Sequence, residues 1–146
     1  MGWWSTEIMG GDTPMDWEDH FFTICDADKY DDDGNLIKIK KDVFAKKLKH
    51  LVNRIDIVKH EPQIGWQVLA VMMMEAGAKI PDDIKEQMVL SCETDPWSKE
   101  NPERKTHTEA LKATLNTYED KPIKFQFKGL FAVIGERLAK DKEGLK

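Results

Sequence analysis

EPQIGWQVLAVMMMEAG, residues 61–77, decides how this chain folds. Glu61 and Pro62 open a helix, with Pro62 near the first turn, where no backbone N–H is needed. Inside it Ile64, Trp66, Val68, Leu69, Val71, Met72 and Met73 leave little polar face. A helix that is apolar nearly all round is a buried one. The pattern predicts a central helix, ended by Gly77, with the rest of the chain packed around it. Within it the Met72-Met73-Met74 run reads as core rather than as an adaptable binding surface.

Working outward, residues 42–58 form the clearest amphipathic helix. Phe44, Leu48, Leu51, Ile55 and Val58 recur at spacings of four, three, four and three, opposite Lys46, Lys47, His50, Asn53 and Arg54. An earlier helix is predicted to end at Ile24, with Thr13 as N-cap, Pro14 at the first helical position and Asp16 completing a capping-box spacing. Met15, Trp17, Phe21, Phe22 and Ile24 supply its apolar faces. Ile80-Pro81-Asp82-Asp83 restarts a helix with two acids at the positive end of its dipole. Its inner face is Ile84, Met88 and Cys92. Residues 93–102 read as a loop holding Asp95-Pro96-Trp97 and Asn101-Pro102. A fifth helix, residues 103–119, is packed by Ala110, Leu111, Leu115 and Tyr118. Pro122 breaks it, and Ile123, Phe125 and Phe127 alternate with polar residues, as one short extended segment would. A last helix, residues 130–140, uses Leu130, Phe131, Ile134 and Leu138.

The predicted fold is mainly α: a compact single-domain bundle of about six helices spanning residues 1–146. Segment 1–11 packs on the bundle and 141–146 is a frayed tail. A chain of 146 residues buries roughly 68–70% of its unfolded surface, enough for a core without staples. The longest apolar run, residues 68–74, is too short for a membrane span. No basic region followed by an apolar core opens the chain. The expectation is a cytoplasmic protein with no membrane partner, and with Cys25 and Cys92 as free thiols.

Charge is unevenly placed. Residues 1–35 carry ten acids against one base, and residues 36–60 carry eight bases against two acids, within a net charge of −5. Two such segments are expected to face each other or to tune solubility. The acidic loop around Gly34 has the spacing of a calcium loop only in part. With Gly34 at position six, positions one and twelve are Lys29 and Lys40, cations where ligands are required. The loop reads as a solvated turn in which Gly34 takes a positive φ.

The opening, MGWWSTEIMGGDTPMDW, is unusually apolar for a terminus. It resembles an uncharacterised bacterial and phage family whose members start M-G-x-W-G-T-G-x-F-x-N-D-T-A-x-D-W. Met1, Gly2, Trp4, Thr6, Asp12, Thr13, Asp16 and Trp17 fall on that pattern. Ser5 and Glu7 stand where the family has glycines, and Met9, Gly11 and Pro14 also depart from it. Gln67-Val-Leu-Ala and Ile80-Pro81-Asp82 resemble the family's E-V-I-A helix and L-P-D-E turn. The family is one of unknown function, so the resemblance implies a mostly helical fold and no activity.

Four histidines, at 20, 50, 60 and 107, show no metal-binding spacing. No phosphate-cradling glycine loop and no G-x-S-x-G elbow occurs. No metal, no cofactor and no catalytic residue is assigned, and the reading leans away from an enzyme. The candidate ligand-binding residues are Trp3, Trp4, Asp12, Asp16 and Trp17, because aromatics beside carboxylates can stack on a ring and hydrogen-bond its edge. Trp97 is either an exposed contact residue or a pin for its loop. The leading expectation is a binding or interaction protein whose partner is a protein or a small ligand, such as an accessory or phage-encoded modulator of a host protein. The alternative is a small metal-dependent or acid/base hydrolase using Asp12, Asp16 and His20. A nucleic-acid binder through the basic segment 38–59, with Lys38 and Lys59 at its ends, ranks last because the acidic chain repels phosphate.

Overall fold

The computed structural model describes residues 8–28, 30–34, 38–58 and 61–125. Among the described residues six helices follow one another: α1 (Asp12–Ile24), α2 (Lys41–Ile57), α3 (Pro62–Ala76), α4 (Asp82–Glu93), α5 (Pro96–Glu100) and α6 (Pro102–Thr117). Five have twelve residues or more and α5 has five. No β-strand occurs among the described residues. The fold is mainly α, as the hydrophobic periodicity predicts. The helix expected at residues 130–140 lies outside the described residues, as do Phe127, the tail 141–146, and Trp3 and Trp4. Of the segment 1–11, Ile8 is buried in the core. No helix among the described residues is long and apolar enough to cross a membrane.

α3 is the axis. It packs against α1, α2 and α4, while α6 covers α4 and α5. From Ile64 to Met74 every residue of α3 is buried except Trp66. All three methionines of the run are core, as the sequence indicates. α1 contributes Trp17, Phe21 and Phe22 to one side of this axis, and α2 contributes Phe44, Leu51 and Ile55. The Trp17 ring lies directly on Gly65. A Cβ at Gly65 would stand 3.0 Å from Trp17 Cε2, so the close approach of α1 favours glycine there. The oppositely charged segments meet between α2 and the end of α1, where Lys47 Nζ is 3.8 Å from Asp26.

The far end of α3 is closed by a Schellman pattern. Gly77, at φ 72°, donates its N–H to the Met74 carbonyl (3.2 Å), and Ala78 donates to that of Met73 (2.9 Å). The chain after α6 returns to this cap. Ile123 N–H donates to the Met74 carbonyl (2.9 Å), Tyr118 Oη donates to that of Ala78 (2.6 Å), and Pro122 covers Gly77. The described part of the alternating segment is thus irregular chain docked on α3.

Four local expectations are corrected. α1 begins at Asp12 with Gly11, in extended backbone, at the N-cap, so Thr13 is not the cap. First-turn N–H groups have no helical partner, so Pro14 is as well accommodated at the third position as at the first. Met15 is exposed rather than on the buried face, and so is Ala110. Residues 96–100, read as loop, are helical, because Asp95 and Asn101 are N-caps that each precede a proline. Gly34 has φ 83°, as expected for the acidic turn.

Candidate functional site

Of the residues proposed from sequence, Asp12, Asp16, Trp17 and His20 are among the described ones. Trp17 is 3% exposed and is a core side chain. Asp12 and Asp16 lie on the exposed side of α1. His20 turns toward α2, where Arg54 donates to its Nδ1 at 3.2 Å, and its ring meets Trp17 edge-on at 5.9 Å. No three His, Cys, Asp or Glu side chains among the described residues group so as to hold a metal.

The polar chemistry collects elsewhere, on the side of α3 that faces α4, α5 and α6. Gln67, Asp95 and Arg104 are 0%, 1% and 0% exposed. Asp95 is placed by its role as N-cap of α5: one carboxylate oxygen accepts from the N–H groups of Trp97 (2.9 Å) and Ser98 (3.1 Å). Arg104 is placed by α6, whose N-cap Asn101 accepts from the Arg104 N–H at 3.1 Å. The second Asp95 oxygen accepts from Gln67 Nε2 (2.8 Å) and Arg104 Nη2 (3.0 Å). Arg104 Nη2 also donates to Gln67 Oε1 at 2.7 Å, and Gln67 Nε2 donates to the Ser91 carbonyl at 3.3 Å. These partners fix which end of the Gln67 amide is oxygen. Three side chains from α3, the α4–α5 junction and α6 thus form one closed clamp.

Burial opposes the charge on Asp95, but the Gln67 hydrogen bond, the Arg104 guanidinium and the Ser98 N–H outweigh it and hold the carboxyl below its ordinary value. Burial likewise pulls Arg104 down, with Asp95 opposing. The pair is therefore charged and compensated in the interior. Its removal by halves is costly, whereas its net worth against an apolar pair is small.

Trp97 stands over this clamp, its ring centre 5.1 Å from the Arg104 guanidinium carbon. It also lines a cleft of about 460 Å3 between the start of α3 (Glu61, Pro62, Gln63) and the start of α5 (Pro96). A second cleft, of about 240 Å3, shares Pro62, Gln63 and Pro96 with the first and adds Trp66 and Leu90. The two form one trough. Leu90 is 48% exposed there, and Glu61 on the rim has left-handed backbone, φ 47°. Trp97 is half-buried, with the Arg104 guanidinium at its ring, and it also lines the trough.

Neither cysteine is an activated nucleophile. Burial pushes the Cys25 thiol up to about 11 and that of Cys92 to about 12, so both stay protonated at neutral pH.

The sequence signals for this site are Gln67, a polar residue inside an otherwise apolar helix, which demands a buried partner, and the Asp95-Pro96 and Asn101-Pro102 pairs, each a cap followed by a first-turn proline. Comparison with protein-family models, with curated proteins and with solved structures gave no match.

Proposed function

We propose that this protein is a non-catalytic binding protein that receives an apolar segment of a partner protein in the trough at the α3–α4–α5 corner. The observation that carries the reading is the pairing of two tryptophans, Trp66 and Trp97, with half-exposed Leu90 on a wall backed by the buried, hydrogen-bonded clamp of Gln67, Asp95 and Arg104. Aromatic side chains concentrate binding energy, and a wall already ordered loses little freedom on association. The ring of His20 takes Arg54 as its hydrogen-bond partner rather than Asp12 or Asp16, which favours binding over the hydrolase alternative.

The test is capture from a cell lysate at physiological salt with immobilised protein, comparing wild type with Leu90→Glu. Leu90 is exposed enough for the variant to fold. Wild type is expected to retain a partner that Leu90→Glu loses. Equal retention by both, or retention of nothing by wild type, overturns the reading.

A further inference from the structure

α5 borders a second cleft, of about 370 Å3, whose other walls are the end of α4 and one face of α6. On α6 the lining residues Lys105, Thr108, Glu109 and Lys112 fall at i, i+3, i+4 and i+7, a single helix face. Lys105 and Lys112 therefore stand about 10 Å apart along α6, with Lys99 entering from α5. Three ammonium groups line the cleft against two carboxylates, Glu93 and Glu109.

Those carboxylates leave the cations under-compensated. Lys112 Nζ pairs with Glu93 at 3.0 Å. Lys105 Nζ is 3.9 Å from Glu109, with both side chains largely exposed. Such an i,i+4 surface pair is weak and readily exchanged. Lys99 makes no salt bridge among the described residues.

The floor has a defined polarity. Thr108 Oγ1 donates to the Lys105 carbonyl at 3.1 Å, so its 2.9 Å contact with Ser98 Oγ is donated by Ser98. With both hydroxyl protons used, Ser98 Oγ offers lone pairs to the cleft. A fitting ligand brings negative charge to the rim and a donor to the floor.

We propose that this cleft binds a small phosphate monoester that also carries hydroxyls, the class of the sugar phosphates. The phosphate sits between Lys99 and Lys105, the two cations that Glu93 does not hold, and a hydroxyl of the ligand donates to Ser98 Oγ. A phosphate monoester carries close to two negative charges and three strong acceptor oxygens at neutral pH, more than Glu109 offers Lys105. The volume is at the lower end of the range for small-molecule sites. The proposal stands independently of the trough.

Isothermal titration of the whole chain at low salt with glucose 6-phosphate, inorganic phosphate and glucose tests it. Glucose 6-phosphate is expected to bind saturably, inorganic phosphate more weakly, and glucose not at all. Lys99→Gln, a change at an exposed residue, should weaken glucose 6-phosphate about tenfold or more, the loss of one charge-assisted hydrogen bond. Ser98→Ala should weaken glucose 6-phosphate and leave inorganic phosphate unchanged, with circular dichroism checking the fold of that buried-site variant. No saturable binding of glucose 6-phosphate at millimolar concentration overturns the site. Unchanged affinity in Lys99→Gln does so as well. Equal affinity for inorganic phosphate and glucose 6-phosphate overturns the hydroxyl-bearing class.

Discussion

α3 divides the molecule into two interiors built on different physics. Toward α1 and α2 the packing is aromatic and aliphatic: Trp17, Phe21, Phe44, Leu51 and Ile55 close on it. Toward α4, α5 and α6 it surrounds Gln67, Asp95, Arg104, Ser98 and Thr108, all buried. The apolar side is held by non-directional burial, which tolerates swaps of similar volume. The polar side is held by directed hydrogen bonds that fix α5 and α6 in one register, and removing Arg104 from beneath the buried Asp95 charge is its costliest loss. Both candidate clefts lie against α5, on the polar side.

Substitutions can break or sharpen this contrast. The largest effect expected is Arg104→Ala, which strands the Asp95 carboxylate in the interior and should lower unfolding free energy by about 3–5 kcal/mol in urea titrations. Leu69→Ala, a cavity in the same helix, should cost about 2–5 kcal/mol. If Arg104→Ala proves much milder than Leu69→Ala, the two interiors do not differ as argued. Gly77→Ala forces an alanine into left-handed backbone, about 1–2 kcal/mol. It also drives a Cβ to 2.7 Å from Pro122 Cδ, so melting temperature should fall by more than that strain alone implies. Gly65→Ala sets an overpacking cost of about 1–3 kcal/mol against a helix-propensity gain of about 1 kcal/mol. A small net loss is expected, with altered near-UV circular dichroism from Trp17.

The mildest test uses pH, and the two interiors should answer with opposite signs. The folded Asp95 carboxyl titrates below its unfolded value of about 3.9. Its contribution is therefore present above about pH 4 and is lost as pH falls through the folded value. Glu75, on the apolar side, is pushed up by burial, with Lys38 opposing and Glu18 adding to the rise. Its ionised form is a burden at neutral pH, so its share of stability grows as pH falls toward the unfolded value of about 4.3. Glu75→Gln should slightly raise the urea midpoint at pH 7 and remove that gain. Asp95→Asn should flatten the loss below pH 4.

The same division governs what could be read from the chain. α2 and α3 were legible because burial without direction leaves a periodic trace: Phe44, Leu51 and Ile55 on one stripe, Ile64 to Met74 on all sides. The clamp leaves no period. Gln67, Asp95 and Arg104 are 28 and 9 residues apart in sequence and meet only because α4 and α5 turn between them. Arg104 reads as one more cation in a charged helix until Asp95 is seen to cap α5 beneath it. The described part of the N-terminal cluster shows the converse, adjacency in sequence that the helix separates in space. Trp17 and Asp16 are neighbours in sequence but point to different faces of α1, one to Gly65 and one to solvent.

The two thiols put a clock in each half. Cys25 ends α1 on the apolar side, and Cys92 lies near the end of α4 beside Ser91, on the polar side. Buried and protonated, neither reacts with an alkylating reagent while its half is closed, so each labelling rate counts the openings of its own half. One mass spectrum taken over time therefore reads whether the protein opens as a single unit or comes apart first along α3.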